Sequence, residues 1–549
     1  MAPQRSLFFL LVLLSSVGTT AQNWEWAKSL GAPNSDTKIS ALDRYEGDKV
    51  LLAGSFAAAA LTLGNQTLSG AGQDDAFVAI CSDDGDYSWA TRIGGAGREF
   101  ATCVVAAPDG SLYVGGSFSS LSLNIGGQLL LNLGESDGFL VKYNADKTVA
   151  WARSVGAGQN DAITGLAVDP EGNLYACGHT GDALLLLKID PDNSLLWQKN
   201  IGSTEGNNQS TALALDNDGH CYWTGTVKGK LTFNGLDTLE SLQEEEAWFP
   251  GEYGYANSGF LAKYNPAGDP VSAILDTNVY QLNDLTFSAG HVYACGEKIQ
   301  PFFVIAGPTY PQARSILYVS KYSDNLELVW KRASDNTNWW SRTLDVLKAI
   351  DHDNMGNIYT TGYLHDNDLV FNGDTLENIQ QGFFYYSQAL VLKYDAEGNE
   401  IYAKALGGNL NDVGTALLVT GKDEFFIGGT YQSNSFTVNG IQLQNAGTLD
   451  SFIVHAITPV YFRKTLGLLA KFSNNISSVP HPDLPYFSCY PNPVQSLVHF
   501  SEEISYQVSD LFGRPLLNGR GNVVNVEALP SGTYLLIANK NRVIRIVKK

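Results

Sequence analysis

Methionine appears twice in 549 residues, charged residues reach only 17%, and no segment beyond the first 21 residues holds 18 consecutive apolar residues. The last absence leaves no candidate for a membrane-spanning helix. Basic side chains are scarce, with 35 Lys+Arg against 56 Asp+Glu and a net charge of −21. Such a surface repels phosphate backbones and anionic lipid, which excludes nucleic acid as a partner. The chain has no HExxH, GxSxG, Walker A or CxxC pattern. The hydrolase, nucleotide and dithiol chemistries that those motifs define are therefore not indicated. The eight histidines are scattered and lack metal-ligand spacing, so no metal site is assigned.

What is plentiful is glycine (55), tyrosine (26) and phenylalanine (25). Turn formers with β-favouring aromatics predict an all-β protein. The length exceeds one ordinary core, so it implies several domains or one large repeat architecture.

The first residues read as an address. Arg5 supplies a positive n-region, residues 7–14 an apolar run, and Thr19-Thr20-Ala21 a small-x-small cleavage site before Gln22. This predicts a secretory signal peptide over residues 1–21.

Internal repetition follows. Residues 164–180 (TGLAVDPEGNLYACGHT) form an apolar run, a polar turn and a second apolar run ending near glycine, the pattern of a β-hairpin. The unit recurs at 40–56, 102–118, 211–226, 282–297, 348–363 and 415–431, seven copies in all. A second strand pair follows each copy, starting near Asp75, Asp137, Asp182, Ser258, Ser315, Gln388 and Asp450. Its second strand carries Trp89, Trp151, Trp197, Trp330 or Tyr402, and Ser272 in one copy. The last copy, 450–459, lacks that strand, while the chain after Gln22 opens with a lone one at 26–31. The expected fold is thus a seven-bladed β-propeller over residues 22–462, closed by its N-terminal strand. In the second strand of every hairpin a small residue precedes Gly54, Gly116, Gly178, Gly225, Gly296, Gly362 or Gly429. A recurring strand glycine marks a bulge or a close backbone approach. Cys103 falls in a second column of small residues with Ala41, Gly165, Ala212, Ala349 and Ala416. It reads, like Cys177 and Cys295, as a buried free thiol. The repeats, over roughly 24–459, resemble the SBBP-type β-propeller repeat family.

Beyond the repeats, 463–487 reads as a linker. Residues 488–549 carry seven Lys/Arg against four Asp/Glu, and their short strands predict a small β-sandwich. Tyr490-Pro491-Asn492-Pro493, Asp510 with Gly513-Arg514, Gly532 with Tyr534, and Lys548 come in the order of the C-terminal sorting domain of type IX secretion cargo, which this block resembles. The resemblance implies a Gram-negative source, contact with the type IX secretion machinery, and release from or attachment to the outer cell surface.

Asp-rich turns at Asp216-Asn217-Asp218-Gly219 and Asp351-His352-Asp353-Asn354 make Ca²⁺ the one cofactor to weigh, although these residues are also ordinary turn formers. Three aromatic loops are expected on one face of the ring. They hold Trp248 and Phe249, then Trp339 and Trp340, then Phe383, Phe384, Tyr385 and Tyr386. Aromatic faces stack on sugars and anchor protein interfaces, which makes these residues the candidate ligand-binding set. No catalytic residue is assigned. The sequence reads as a monomeric, secreted or cell-surface binding or adhesion protein for a polysaccharide or a protein. The alternatives are a polysaccharide lyase or hydrolase, which needs only two carboxylates, and a structural scaffold.

Overall fold

The computed structural model describes residues 23–31, 36–156, 158–206, 208–233, 235–241, 243–245, 253–277, 279–302, 312–334, 345–365, 369–376, 380–381, 384–433, 435–438, 441–444, 450–453, 459–462, 466–473, 489–490, 496–509, 514–538 and 542–548. The signal peptide, Trp248, Phe249, Trp339, Trp340, Phe383, Pro491, Asn492, Pro493, Asp510 and Gly513 lie outside the described residues. The chain divides into two units, residues 1–475 and 476–549.

In the first unit the hairpin repeats build seven four-stranded antiparallel sheets, the blades. Their first strands are Asp36–Tyr45, Glu99–Ala106, Asp161–Val168, Gln209–Leu215, Gln281–Ser288, Val346–His352 and Asp412–Gly421. All seven line one central channel of about 290 Å³, so they are the inner strands. Blades 1 to 6 run outward in chain order; blade 2 adds Leu112–Phe118, Asp137–Tyr143 and Val149–Val155. Third strands such as Asp137–Tyr143 are buried along their whole length, because blades pack on both faces. The core is accordingly laminated between neighbours. Tyr113, Leu140 and Trp151 of blade 2, for example, pack on Ile163, Ala176 and Leu187 of blade 3.

Two expectations need correction in blade 7. Its third strand is Leu466–Ser473, and not 450–459. Asp450–Ile453 pairs instead with Pro459–Phe462 in a separate two-stranded hairpin. The stretch assigned to a linker from residue 463 therefore contains a blade strand, whose GLLAKFS repeats the GFLVKYN pattern of 138–144. Closure by the N-terminal strand is also corrected: among the described residues no sheet is closed by hydrogen bonds. Asn23–Leu30 is the outermost strand of one open sheet, paired antiparallel to Leu466–Ser473, and it lies at the edge farthest from the axis.

Blades are instead joined side chain to backbone. In the third strand of six blades a lysine (Lys142, Lys188, Lys263, Lys321, Lys393, Lys471) sits between an aromatic of the second strand and the residue at the fourth-strand aromatic position. Lys142 Nζ and Trp151 Nε1 both donate to Pro191 O of the next blade, at 3.2 and 3.1 Å. Lys321 and Trp330 do the same to Ala396 O, each at 3.1 Å. Trp26 Nε1 reaches Asp83 O at 3.0 Å, from blade 7 to blade 1. The lysine stems and ammonium groups lie over the tyrosine rings, 4.5 Å from the centroid for Lys188 on Tyr175. These buried cations are thus satisfied and act as staples. Cys81, Cys103, Cys177, Cys221 and Cys295 are buried free thiols.

In the second unit the sequence pattern predicted a sandwich. The described strands form one five-stranded antiparallel sheet. The physical reason is Leu497–Ser509, which reads as two strands but is one, with a register shift between His499 and Ile504. Tyr534 is buried and donates to Pro530 O at 2.7 Å. Arg514 is exposed and Gly532 and Lys548 are half-buried; Tyr490 lies in a two-residue strand opposite His499.

Candidate functional site

One face of the ring carries the connections between second and third strands and those between blades. On five blades the former contain a small hairpin, such as Ala60–Leu63 with Gln66–Ser69, or Ser122–Ile125 with Gln128–Leu131. In blade 5 the two strands themselves lengthen to His291–Phe302 and Gln312–Ser323. Blade 3 alone has neither: Leu174–Thr180 turns into Ala183–Ile189 through Gly181 and Asp182, with Gly181 at φ 55°. The ring face is notched there, and the notch opens a cavity of about 710 Å³ lined by Glu135, His179, Asp182, Asn208, Gln209 and Asn283, among others.

The lining follows from the repeat. Two residues before the residue paired with the conspicuous glycine, the inner strand or its approach carries Glu99, Asp161, Asn208, Asp345 and Asp412 in blades 2, 3, 4, 6 and 7, all buried. The acids cap the connections. Glu99 accepts from Gly95 N and Ser120 Oγ, both at 2.7 Å. Asp161 accepts from Gly181 N at 2.7 Å and Asp345 from His365 N at 2.9 Å. Asp412 accepts from Gly408 N at 2.8 Å and Ser433 Oγ at 2.6 Å. In blade 4 the acid is replaced by Asn208, 3% exposed, whose Nδ2 donates to Asp182 O at 2.8 Å. Asn208 Oδ1 and His179 Nδ1 are buried and have no hydrogen-bond partner among the described residues. Burial lowers the His179 pKa, partly offset by Asp161, so the imidazole is neutral at pH 7. Asn160 Nδ2 donates to Glu135 Oε2 at 2.8 Å on the rim. The arrangement offers amides, hydroxyls and two carboxylates around one concavity. The short blade was legible as irregular spacing near Asp182; the Asn208 substitution needed the strand register.

Of the aromatic set only Phe384, Tyr385 and Tyr386 lie among the described residues, and none of the three lines this cavity. Phe384 and Tyr385 form a two-residue strand opposite Gln380–Gln381 on blade 6, and Tyr386 follows, half-buried. Beside the notch, the blade 2 insert presents Leu121, Leu129, Leu131 and Leu133 to solvent, Leu121 at 88% exposure.

The turn at 216–220 brings ligand atoms of Asp216, Asp218 and His220 within 4.8 Å. Asp216 Oδ1 already accepts Asp218 N and His220 N, at 3.0 and 2.8 Å. Asp353 makes the same amide contacts with Met355 and Asn357, as does Asp395 with Glu397 and Asn399. Asn substitutes readily into such turns, so turn chemistry accounts for these acids.

The central channel is lined by Ala41, Cys103, Gly165, Ala212, Ala349 and Ala416, the small column expected there. The sequence reading missed the inner-strand aspartates Asp43 and Asp284, and it placed Asp351 in an Asp-rich turn, whereas Asp351 stands in the inner strand Val346–His352. Asp43 accepts Ala106 N at 2.7 Å, Asp284 Ile350 N at 2.9 Å and Asp351 Val419 N at 2.7 Å, each from the next blade. Burial pushes Asp43 and Asp351 up to about 6, and Asp284 and Asp412 up to about 7, against the pull of the donors they accept. A carboxyl raised in the fold binds its proton more tightly there than in the unfolded chain. These four carboxyls are expected to outweigh the buried His179, His352 and His365, whose lowered pKa acts the opposite way, so that stability rises as pH falls from about 7 to about 4 and reverses below that as Asp109 and Asp395, held low by hydrogen bonds, protonate. The thermal midpoint of residues 22–549 is expected to be a few degrees higher at pH 5 than at pH 8, and Asp284→Asn to flatten the slope. A midpoint that falls steadily from pH 8 to pH 5 contradicts this.

The family described as secretion system C-terminal sorting domain matches residues 488–549. The chain is a β-propeller protein with a C-terminal sorting domain of type IX secretion, which supports secretion to, or attachment at, the outer surface of a Gram-negative cell. Among the described residues no helix is long and apolar enough to cross a membrane. No curated protein matches the chain. Among solved structures, the extracellular domain of a hybrid two-component system from B. thetaiotaomicron is 11% identical, with TM-score 0.34, over 94% of this chain and 58% of its own length. Virginiamycin B lyase from Staphylococcus aureus is 8% identical, with TM-score 0.36, over 81% and 98%. Drosophila Plexin A, in complex with Semaphorin 1b, is 8% identical, with TM-score 0.37, over 83% and 88%. Likenesses this remote carry no argument about function.

Proposed function

We propose that this exported propeller is a binding or adhesion protein that contacts a polysaccharide or a protein through the ring face bearing the blade connections. The notch cavity beside blade 3 carries the reading. Its volume of about 710 Å³ falls in the range of ligand sites, and its polar groups converge from four blades. Trp248, Phe249, Trp339, Trp340 and 383–386 belong to connections of blades 4 to 6 and enter the proposal as further contacts on the same face. The SBBP-type kinship of the repeats remains part of the proposal. A second reading, a polysaccharide lyase or hydrolase, is favoured by one observation: Glu135 and Asp182 both line the cavity, and two carboxylates suffice for glycosidic chemistry.

The test is a binding and turnover screen of residues 22–549 against polysaccharides and cell-surface proteins, beside Gln159→Ala/Gln209→Ala and Trp339→Ala/Trp340→Ala variants. Saturable binding without new reducing ends or unsaturated products is expected, weakened at least tenfold in one variant. Turnover lost with Glu135→Gln would establish the enzyme. Folded protein that binds nothing would leave the scaffold role.

A further inference from the structure

We propose that the blade 3 notch is a saccharide subsite, which takes a neutral, hydroxyl-rich sugar residue with one hydroxyl seated against Asn208 and His179. The inference rests on the binding reading above and names the ligand class.

Three observations carry it. First, the notch exists because blade 3 lacks the insert that every other blade carries in some form, so the opening is specific to one position of the repeat. Second, the column that carries a buried acid in blades 2, 3, 6 and 7 holds Asn208 in blade 4, at the cavity wall, and two buried polar atoms, Asn208 Oδ1 and His179 Nδ1, have no hydrogen-bond partner among the described residues. Buried polar groups are normally satisfied, by protein or by an ordered water. A sugar hydroxyl donates to one atom and accepts from another, as such a water does, and so can take its place. The neutral state of His179, set by burial, suits an uncharged partner. Third, the lining is chemically one-sided. Gln159 and Gln209 present side-chain amides; Thr211 Oγ1 and Asn283 Nδ2 already donate to Leu282 O and Leu347 O, each at 2.7 Å, which leaves their oxygens as acceptors beside those of Glu135 and Asp182. Among the described residues no lysine or arginine lines it, which disfavours phosphorylated, sulfated or uronate ligands. No leucine, isoleucine, valine or aromatic lines it either, so a protein loop would find no pocket for an apolar anchor. The exposed leucines of the blade 2 insert lie outside the lining and would serve a protein partner.

The test is calorimetric titration of residues 22–549 with neutral oligosaccharides of gluco, manno, galacto and xylo configuration. Asn208→Ala, the exposed rim variant Gln209→Ala, and Asp218→Ala in a turn outside the lining run in parallel. At least one oligosaccharide is expected to bind saturably. Asn208→Ala and Gln209→Ala should each weaken it about tenfold, the scale of one well-made hydrogen bond, while Asp218→Ala changes nothing. Gln209→Ala touches no core contact, so its loss cannot be laid to misfolding. No binding by any neutral oligosaccharide overturns the inference, as does binding indifferent to both lining variants. A protein or acidic-glycan ligand found in the wider screen would sustain the binding function and overturn this ligand class.

Discussion

Gly178→Ala is expected to lower the unfolding free energy by about 3 kcal/mol or more, and to abolish any binding at the notch. The inner strand of every blade carries a bulge, seen as a register slip between Ile39 and Ala41, Ala101 and Cys103, Ile163 and Gly165, Ser210 and Ala212, Leu282 and Asp284, Leu347 and Ala349, and Gly414 and Ala416. The bulge drives a carbonyl toward the second strand. A Cβ on Gly178 would stand 2.0 Å from Ala162 O, far inside contact distance, and the obstacle is backbone. The strand must move, and its neighbour His179 with it. Gly116 and Gly362 repeat the geometry, at 1.9 Å from Phe100 O and 2.0 Å from Val346 O. The control is Gly202→Ala, at the outer end of the same blade, where an added Cβ meets nothing within 4 Å. It should be neutral or slightly stabilising, by about 0.4–1 kcal/mol, because alanine restricts the unfolded chain. Urea titration of both variants, with hydrogen exchange to localise the loss, checks the pair. Equal midpoints would show that the bulge yields cheaply.

That glycine column was legible because it repeats. Seven phased copies turn a weak local signal into a register, and the reading of a close backbone approach has its cause in the bulge carbonyl. The aromatic column of the fourth strands was likewise visible, from Trp89 to Tyr402, though not what it grips. Their indole nitrogens bond carbonyls such as Pro191 O and Ala396 O in the next blade, contacts between residues 40 to 66 positions apart. No local pattern encodes such a partner. The error in blade 7 has a specific source. The segment 450–453 (DSFI) begins like the third strands at Asp75 and Asp137, with acid and phenylalanine two apart, whereas Leu466–Ser473 has lost the acid and kept the Gly-x-x-x-Lys core. The candidate site was hidden for the opposite reason: aromatic loops drew notice by composition, while the notch arises from residues that blade 3 does not have. Asn208 becomes conspicuous only once the strand register sets it in a column with Glu99, Asp161, Asp345 and Asp412.

Lys471→Met is expected to cost about 2–4 kcal/mol, and more than Lys142→Met, although both lysines stand in the same column. Lys142 Nζ donates to one neutral carbonyl, Pro191 O. Lys471, 4% exposed, is ringed by Glu25 of the N-terminal strand at 3.2 Å, Glu424 of blade 7 at 3.3 Å and Asp83 of blade 1 at 2.6 Å. Removing its charge leaves three carboxylates facing one another. They are a quarter to two-fifths exposed, so water recovers part of the loss and the lower end of the range for a broken buried pair applies. The position does not itself demand a cation: blade 1 has Ile80 there, between Leu51 and Trp89. Lys142→Met should therefore cost only about 1 kcal/mol, the worth of one hydrogen bond. The pH dependence separates charge from packing. Burial pulls the Lys471 pKa down, but the Asp83 and Glu25 carboxylates outweigh it and the value is raised. The stabilisation is then whole below the unfolded lysine value of about 10.4, and is lost as pH rises through the higher folded value. The gap between wild type and Lys471→Met should stay constant from pH 6 to pH 9 and close above that value, whereas a packing defect would persist. Asp83→Asn in the Lys471→Met background should restore part of the midpoint by removing one of the stranded charges. If it lowers stability further, the three carboxylates are not held by Lys471 and the electrostatic account fails.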